Sequence, residues 1–328
     1  MGLLTLLHLR RPSPWEPPTL LDSLLSSPLA LLVTILYHIL LLLRGPPFIP
    51  SPSRPPIRIV CISDTHDLIP GDIPDGDLLI HAGDLSSVGT LEAIQKQVDW
   101  LKGLPHGEKV VVPGNHDLWF DGEARLGGDG IGGEVRWGGV RYLGGQEEGV
   151  EMVFKGGRRL NVWGAGGVPR IGKDGEHAFQ YDRDKHPWKG RMPDETDVLI
   201  THTPPRFHRD LGLGCDGLLE EVWRVKPKLH VFGHVHWGYG KEAVYFDECQ
   251  RAYESLMTET GHGFIWDMFP SRAWINAVKV VWYGVKSIVW KWVMLGPGSS
   301  NDGGLMVNAS ATYGNTGRLG NKVIAVDL

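Results

Sequence analysis

Five short apolar runs, rich in β-branched residues, each stop on side chains that ligate metals or carry protons, and this recurrence limits the possible folds more than any other feature. IRIVCIS runs into Asp64, Thr65 and His66; DLLIHAG into Asp84; VVVPG into Asn115, His116 and Asp117; DVLIT into His202; LHVFG into His234, Val235 and His236. Such runs read as buried strands. They alternate with helical stretches near Leu91 to Gly103 and Asp216 to Val225, which predicts an α/β sheet protein. In open α/β sheets ligands bind beyond the carboxyl ends of the strands, so strands running the same way would bring all five tips together. The two-residue spacing of Asp64 and His66, and of His234 and His236, puts each pair on one side of an extended segment. Gly83, Gly114 and Gly233 precede three of these groups, where the lack of a Cβ permits close backbone approach.

Asp, Asn and imidazole donors without thiolate suit Mn, Fe or Zn. The ligands are too many for one ion; two divalent ions sharing a carboxylate account for them, and would clamp a phosphate and acidify a bound water. The three cysteines (Cys61, Cys215, Cys249) form no C-x-x-C pair, so neither a disulfide framework nor a thiolate zinc site is expected. A net charge of -5 argues against general nucleic-acid binding.

In order, these motifs are D-x-H, G-D, G-N-H-D, a lone His and G-H-x-H, and with them the chain resembles the calcineurin-like metallophosphoesterases over roughly residues 57 to 242 and the closing strands. THTPP at 201 to 205 and PKLHVFGHVHWGYG at 227 to 240 resemble a branch of small eukaryotic metallophosphoesterase-domain proteins, several of which act on cyclic nucleotides or model phosphodiesters. Where that branch carries a shorter loop, this chain has WGAGGVPR at 163 to 170. The resemblance implies a four-layer α/β/β/α sandwich and a dinuclear metal-dependent hydrolase of phosphoesters, monoester or diester, using a metal-bound hydroxide. By motif, Asp64, His66 and His236 would hold one metal, Asn115, His202 and His234 the other, with Asp84 bridging; His116 would act on the scissile phosphate and Asp117 would orient it. A different class of function is a metal-binding or metal-free scaffold that keeps the fold without the chemistry; a lost ligand would favour it, and none is lost.

Outside this region, residues 1 to 45 contain a hydrophobic segment, Leu24 to Leu43, about long enough to cross a bilayer as a helix; the alternatives are a re-entrant or interfacial hairpin, because of Pro28 and His38, and a buried helix of the globular domain. Membrane association is expected from this segment, and with Arg10 and Arg11 before it and Arg44, Arg54 and Arg58 after it the charge balance tilts slightly toward a cytosolic catalytic domain. Residues 46 to 56 read as a proline-rich linker, and 57 to 328 as the phosphoesterase domain with a Trp-rich helical insertion at 243 to 303. From Arg272 that insertion predicts a helix with a cationic stripe and a wide aromatic face, suited either to a membrane interface or to packing on the sheet or a partner; Gly284 is expected to weaken it. His81 and His230, inside apolar strands, are expected in the core, and His106, His177, His186, His208 and His262 receive no role. The glycine-rich stretch 126 to 139 reads as a mobile loop and not a nucleotide loop, and the sequon at Asn308 as chance.

Overall fold

The computed structural model describes residues 3–50, 54–125, 133–146, 148–173, 176–295 and 303–328. Residues 126–132 of the glycine-rich stretch, 51–53 of the linker and 296–302 of the insertion lie outside the described residues. In chain order the helices are α1 (Leu3–Leu6), α2 (Leu20–Ser26), α3 (Pro28–Arg44), α4 (Leu91–Lys102), α5 (Asp216–Val225), α6 (Glu248–Glu259) and α7 (Arg272–Trp290). The strands are β1 (Arg58–Ile62), β2 (Leu78–His81), β3 (Glu108–Val111), β4 (Arg141–Tyr142), β5 (Gly149–Val153), β6 (Arg159–Ala165), β7 (Val168–Pro169), β8 (Gln180–Tyr181), β9 (Val198–Thr201), β10 (Leu229–Phe232), β11 (Gly240–Val244), β12 (Gly304–Asn308) and β13 (Ile324–Asp327). The chain divides into two compact units: a sheet unit, Pro50–Glu242 with Met306–Leu328, and a helical unit, Met1–Ile49 with Ala243–Leu305.

The sheet unit is the expected α/β/β/α sandwich. One sheet has the order β13-β1-β2-β3-β4, with β1 to β4 parallel and β13 antiparallel at the edge. The other has the order β11-β12-β10-β9-β6-β5, with β10, β9 and β6 parallel. Every residue of β2, β9 and β10 is buried, as strands covered on both faces must be. On one side α4 starts at Thr90, whose hydroxyl accepts from the Ala93 amide, and lays Ile94, Val98 and Leu101 against Val60, Ile62, Leu79 and Val111. Each such side chain contributes about 1.5–3 kcal/mol on burial. On the other side α5 buries Leu218, Leu219, Val222 and Val225. The sheets press together so closely that a Cβ on Gly164 of β6 would stand 2.7 Å from Val112 at the end of β3.

The helical unit joins the N-terminal segment to the insertion. Its core sets Leu29, Val33, Tyr37, Leu40 and Leu41 of α3 against Tyr253 and Leu256 of α6 and Ala273, Ala277 and Val280 of α7. Tyr37 and Tyr253 stack at 4.0 Å, and Arg44 pairs with Asp247 at 2.8 Å while lying over the Tyr245 ring. Gly284, expected to weaken α7, is where Leu40 passes: a Cβ there would meet Leu40 Cδ1 at 2.5 Å, and the helix continues through it.

The single apolar span expected at Leu24 to Leu43 is corrected. No described helix is long and apolar enough to cross a membrane; α2 and α3 pass that test only as a pair bent by 117°. The break has a local cause: Ser27 is extended (φ -166°, ψ 104°), caps α3 through the Ala30 amide, and is followed by Pro28, which lacks the N–H that a continuous helix needs. Asp267 holds the corner by accepting from Ser27 Oγ at 2.6 Å and the Leu29 amide at 2.9 Å.

Candidate metal centre

Parallel β1, β2 and β3 deliver Asp64 and His66, then Asp84, then Asn115 and His116 at their carboxyl ends; parallel β9 and β10 deliver His202, then His234 and His236. The chain turns here at a conformational cost. Asp64, His66, Asp84 and His234 all have left-handed backbone (φ 53°, 46°, 55° and 65°), each at about 1–2 kcal/mol, which backbone bonds such as Asp64 N to Gly83 O (2.9 Å) and His66 N to Asp84 O (3.1 Å) hold in place. The three glycines singled out in the sequence sit where a Cβ cannot. It would stand 2.5 Å from His202 Nδ1 at Gly83, 2.2 Å from Asp84 Oδ1 at Gly114 and 2.1 Å from Asp64 Oδ2 at Gly233.

Ligand-type atoms converge in three overlapping groups: Asp64, His66 and His236; His66, Asp84 and His116; Asp64, Asp84 and His202, each within 4.8 Å. Asp84 Oδ2 lies 3.7 Å from His66 Nε2 and 3.3 Å from His202 Nε2, while its Oδ1 accepts from the His116 amide at 2.8 Å. Asp64 accepts the His234 amide at 3.1 Å and faces His236 Nε2 at 3.3 Å. Asn115 Oδ1 faces His202 Nε2 at 3.0 Å, and the His234 ring is buried 5.0 Å from that of His202.

The donor set fits divalent cations. His202 Nδ1 donates to Ala82 O (2.8 Å) and His236 Nδ1 to Gly314 O (2.9 Å), which leaves the Nε2 lone pairs pointing at the centre. His202 Nε2 then faces the Asn115 oxygen, and His236 Nε2 faces His66 Nε2 at 3.4 Å. The first of these contacts sets acceptor against acceptor, which is repulsive unless a cation or proton sits between them. Protons fill that role in the metal-free protein. Burial disfavours a charged His202, but Asp84 and Asp64 outweigh it and raise the group to about 9; His236 is raised likewise by Asp64. Burial would also raise Asp64, yet the facing His236 and His202 hold it below the usual carboxylate range. Cation uptake must displace the His202 proton, so Mn(II) affinity of the metal-free protein is expected to rise about tenfold per pH unit toward pH 9 with release of a proton. Titration calorimetry in buffers of different ionisation enthalpy measures both; an affinity flat from pH 6.5 to 9 contradicts this electrostatic account.

Asp117 does not orient His116. Its buried carboxylate accepts the amides of Gly114 (2.8 Å), Ser86 (3.1 Å) and Leu85 (3.3 Å), tying the β2 and β3 loops together, while His116 Nδ1 donates to Ser87 O at 3.2 Å. Burial and the nearby Asp84 push Asp117 up to about 7 despite those donors. The carboxylate faces these loop amides, and among the described residues no hydrogen bond joins it to the His116 ring, whose Nδ1 is engaged by Ser87 O.

His81 and His230 are core residues, bonded to Thr65 Oγ1 (3.0 Å) and Thr201 Oγ1 (2.8 Å), with burial lowering them to about 4 and about 3. WGAGGVPR edges the loop after β3, where a Cβ on Gly166 would stand 2.8 Å from Pro113 O. Two residues without an assigned role are drawn in. His177 Nδ1 lies 3.1 Å from Asn115 Nδ2, with its ring 5.2 Å from that of His116. Asn308, the sequon residue, is buried; its amide donates to Val235 O (2.9 Å) and braces the loop carrying His234 and His236. No spacing in the sequence links either to the motifs, since His177 is 62 residues from Asn115 and Asn308 is 73 from Val235.

Residues 57–238 match the family described as calcineurin-like phosphoesterase. A stretch of 207 residues is 44% identical to the probable rhamnogalacturonate lyase C of Emericella nidulans, covering 61% of this chain and 19% of that protein. Another of 209 residues is 34% identical to metallophosphoesterase domain-containing protein 1 of Homo sapiens, covering 57% of this chain and 63% of that one. The chain thus spans less than two thirds of either relative's length. Among solved structures, TT1561 of Thermus thermophilus aligns over 58% of this chain and 85% of its own, at 16% identity and a TM-score of 0.38.

Proposed function

The chain belongs to the calcineurin-like phosphoesterase family, and from that premise we propose that it hydrolyses phosphoesters at the cluster formed by the carboxyl ends of β1, β2, β3, β9 and β10. The observation that carries this reading is the convergence of five strand ends on one set of carboxylate, amide and imidazole donors. Asp64, His66 and His236 would hold one divalent ion and Asn115, His202 and His234 a second, with Asp84, which faces both His66 and His202, available to both. Mn, Fe or Zn matches the imidazole-rich donors, the three cysteines being free and absent from the cluster. When bound, the two ions supply the charge that polarises a phosphoryl group and acidifies an attacking water.

The chain's own residues orient and exchange protons. His116 is anchored by its amide to Asp84 Oδ1 and by Nδ1 to Ser87 O, so Nε2 is the nitrogen free to give a proton to the leaving oxygen or to hydrogen-bond the phosphoryl oxygens. His116→Ala is expected to lower turnover of an aryl phosphodiester about 10²- to 10⁴-fold with metal content unchanged. Elemental analysis and a panel of phosphomonoesters and diesters test the whole reading. About two metal equivalents with turnover that falls in the variant support it; no bound metal, or equal rates in wild type and variant, favour a scaffold.

A membrane-surface location, with the sheet unit in the cytosol, belongs to the same reading. It is supported by the apolar side chains left exposed on the helical unit, among them Trp266, Trp282, Trp290 and Val293.

A further inference from the structure

α7 uses only its narrow face for packing. Ala273, Asn276, Ala277, Val280 and Gly284 are buried within the helical unit, whereas Trp274, Val278, Trp282, Val285, Val289 and Trp290 face outward; Trp282 is 67% exposed and Val278 66%. At 100° per residue Trp274, Val278, Trp282, Val285 and Val289 fill one arc of about 80°, and Arg272, Lys279 and Lys286, spaced by seven and all exposed, form a stripe beside it in which Trp290 also lies. An open groove of about 330 Å³ runs along the same arc between Trp282, Val285, Val289 and Trp290, with Lys286 beside it. The face expected either to meet a membrane or to pack on the sheet or a partner is therefore left open by the fold of the helical unit.

We propose that this face is a one-sided bilayer anchor: α7 lies in the headgroup plane of an anionic membrane, its tryptophans at the acyl boundary, Lys279 and Lys286 on lipid phosphates and an acyl chain in the groove, and the chain does not cross the membrane. Three observations select lipid over a protein partner. Tryptophan bordered by lysine is the composition of interfacial helices. The cationic edge complements anionic headgroups. The groove is almost wholly apolar, as contact with hydrocarbon requires, while α2 and α3 reach a spanning length only as a pair bent by 117°. The proposal rests on the membrane part of the reading above and not on catalysis.

The full-length protein is sedimented with phosphatidylcholine vesicles with and without phosphatidylserine. Binding should need the anionic lipid; Lys279→Glu with Lys286→Glu, and separately Trp282→Ala with Trp290→Ala, should each cut the partition coefficient about tenfold. Tags at both ends should be cleaved by protease added outside sealed vesicles. Protection of either tag overturns the one-sided geometry. Concentration-dependent dimerisation without vesicle binding assigns the face to a second copy and overturns the proposal. Phosphoester turnover of the same samples reports separately on the active site.

A second inference stands on a different observation. Asn115 has two ends: Oδ1 faces His202, and Nδ2 donates to His177 Nδ1. The segment bearing His177 is pinned by Ala178 N to Asn115 O (2.8 Å) and Phe179 N to Asp121 Oδ2 (2.7 Å). We infer that His177 is a positioning residue: by accepting from the amide nitrogen it fixes the Asn115 oxygen toward the centre, and a flipped amide would present N–H groups to a cation. With Mn(II) as the probe, titration of metal-free full-length protein should show the site that includes Asn115 losing about 10- to 100-fold in affinity in His177→Leu. His177→Asn, whose Oδ1 takes the place of Nδ1, should restore it. Unchanged affinity in His177→Leu, or an equal loss in both variants, overturns the role.

Discussion

Asp84→Asn is expected to lower kcat/KM for a phosphodiester about a thousandfold, equivalent to about 4 kcal/mol of transition-state stabilisation, and to leave the protein with less than its full metal complement. The carboxylate is buried and faces three partners: His66 and His202 through Oδ2 and the His116 amide through Oδ1. An amide keeps the shape and one acceptor but removes the charge around which two imidazoles are arranged, and its N–H₂ end would meet one of them. Burial opposes a charged Asp84, yet His202, His116 and His66 together hold it ionised well below its usual range, so the site is built for the anion. Metal analysis with steady-state kinetics measures both effects. A variant with full metal content and near-normal kcat/KM would remove Asp84 from the shared position.

Gly233→Ala is expected to destabilise the sheet unit by about 3 kcal/mol, to lower Tm by roughly 8 °C, and to reduce metal content. The obstacle is space: a Cβ would stand 2.1 Å from both Asp64 Oδ2 and Ser63 Oγ. Neither can withdraw, because Asp64 is bonded to the His234 amide and Ser63 is buried. Gly122→Ala is the control, since a Cβ there meets nothing within 4 Å, and its effect should stay within about 0.5 kcal/mol. Calorimetry of the two variants beside wild type decides. Equal melting temperatures would mean that the β10 loop has room to move away from Asp64.

Much of the site was legible because its determinants are local. A β-branched run, a glycine and a ligand-type residue follow one another within a few positions, so β1, β2, β3, β9 and β10 and the side chains at their ends can be read directly. α5 begins and ends where its apolar spacing places it, at Asp216 and Val225. Asp117 is the opposite case. Lying next to His116 in sequence, it suggests a partnership, but its carboxylate faces amides on another loop, 31 and 32 residues away.

From the sequence alone follow the strand ends, the donor chemistry, the three glycines that let backbones approach, and the apolar surplus of both ends of the helical unit. Tertiary structure decided what neighbours across long separations do: the 117° corner at Ser27 held by Asp267, the small-residue face that α7 buries, and the attachment of His177 and Asn308 to the centre. Periodicity and capping act over one or two turns of chain, and sequence records them. Which side chain meets which across dozens of residues depends on the path of the folded backbone, and no local pattern carries that information.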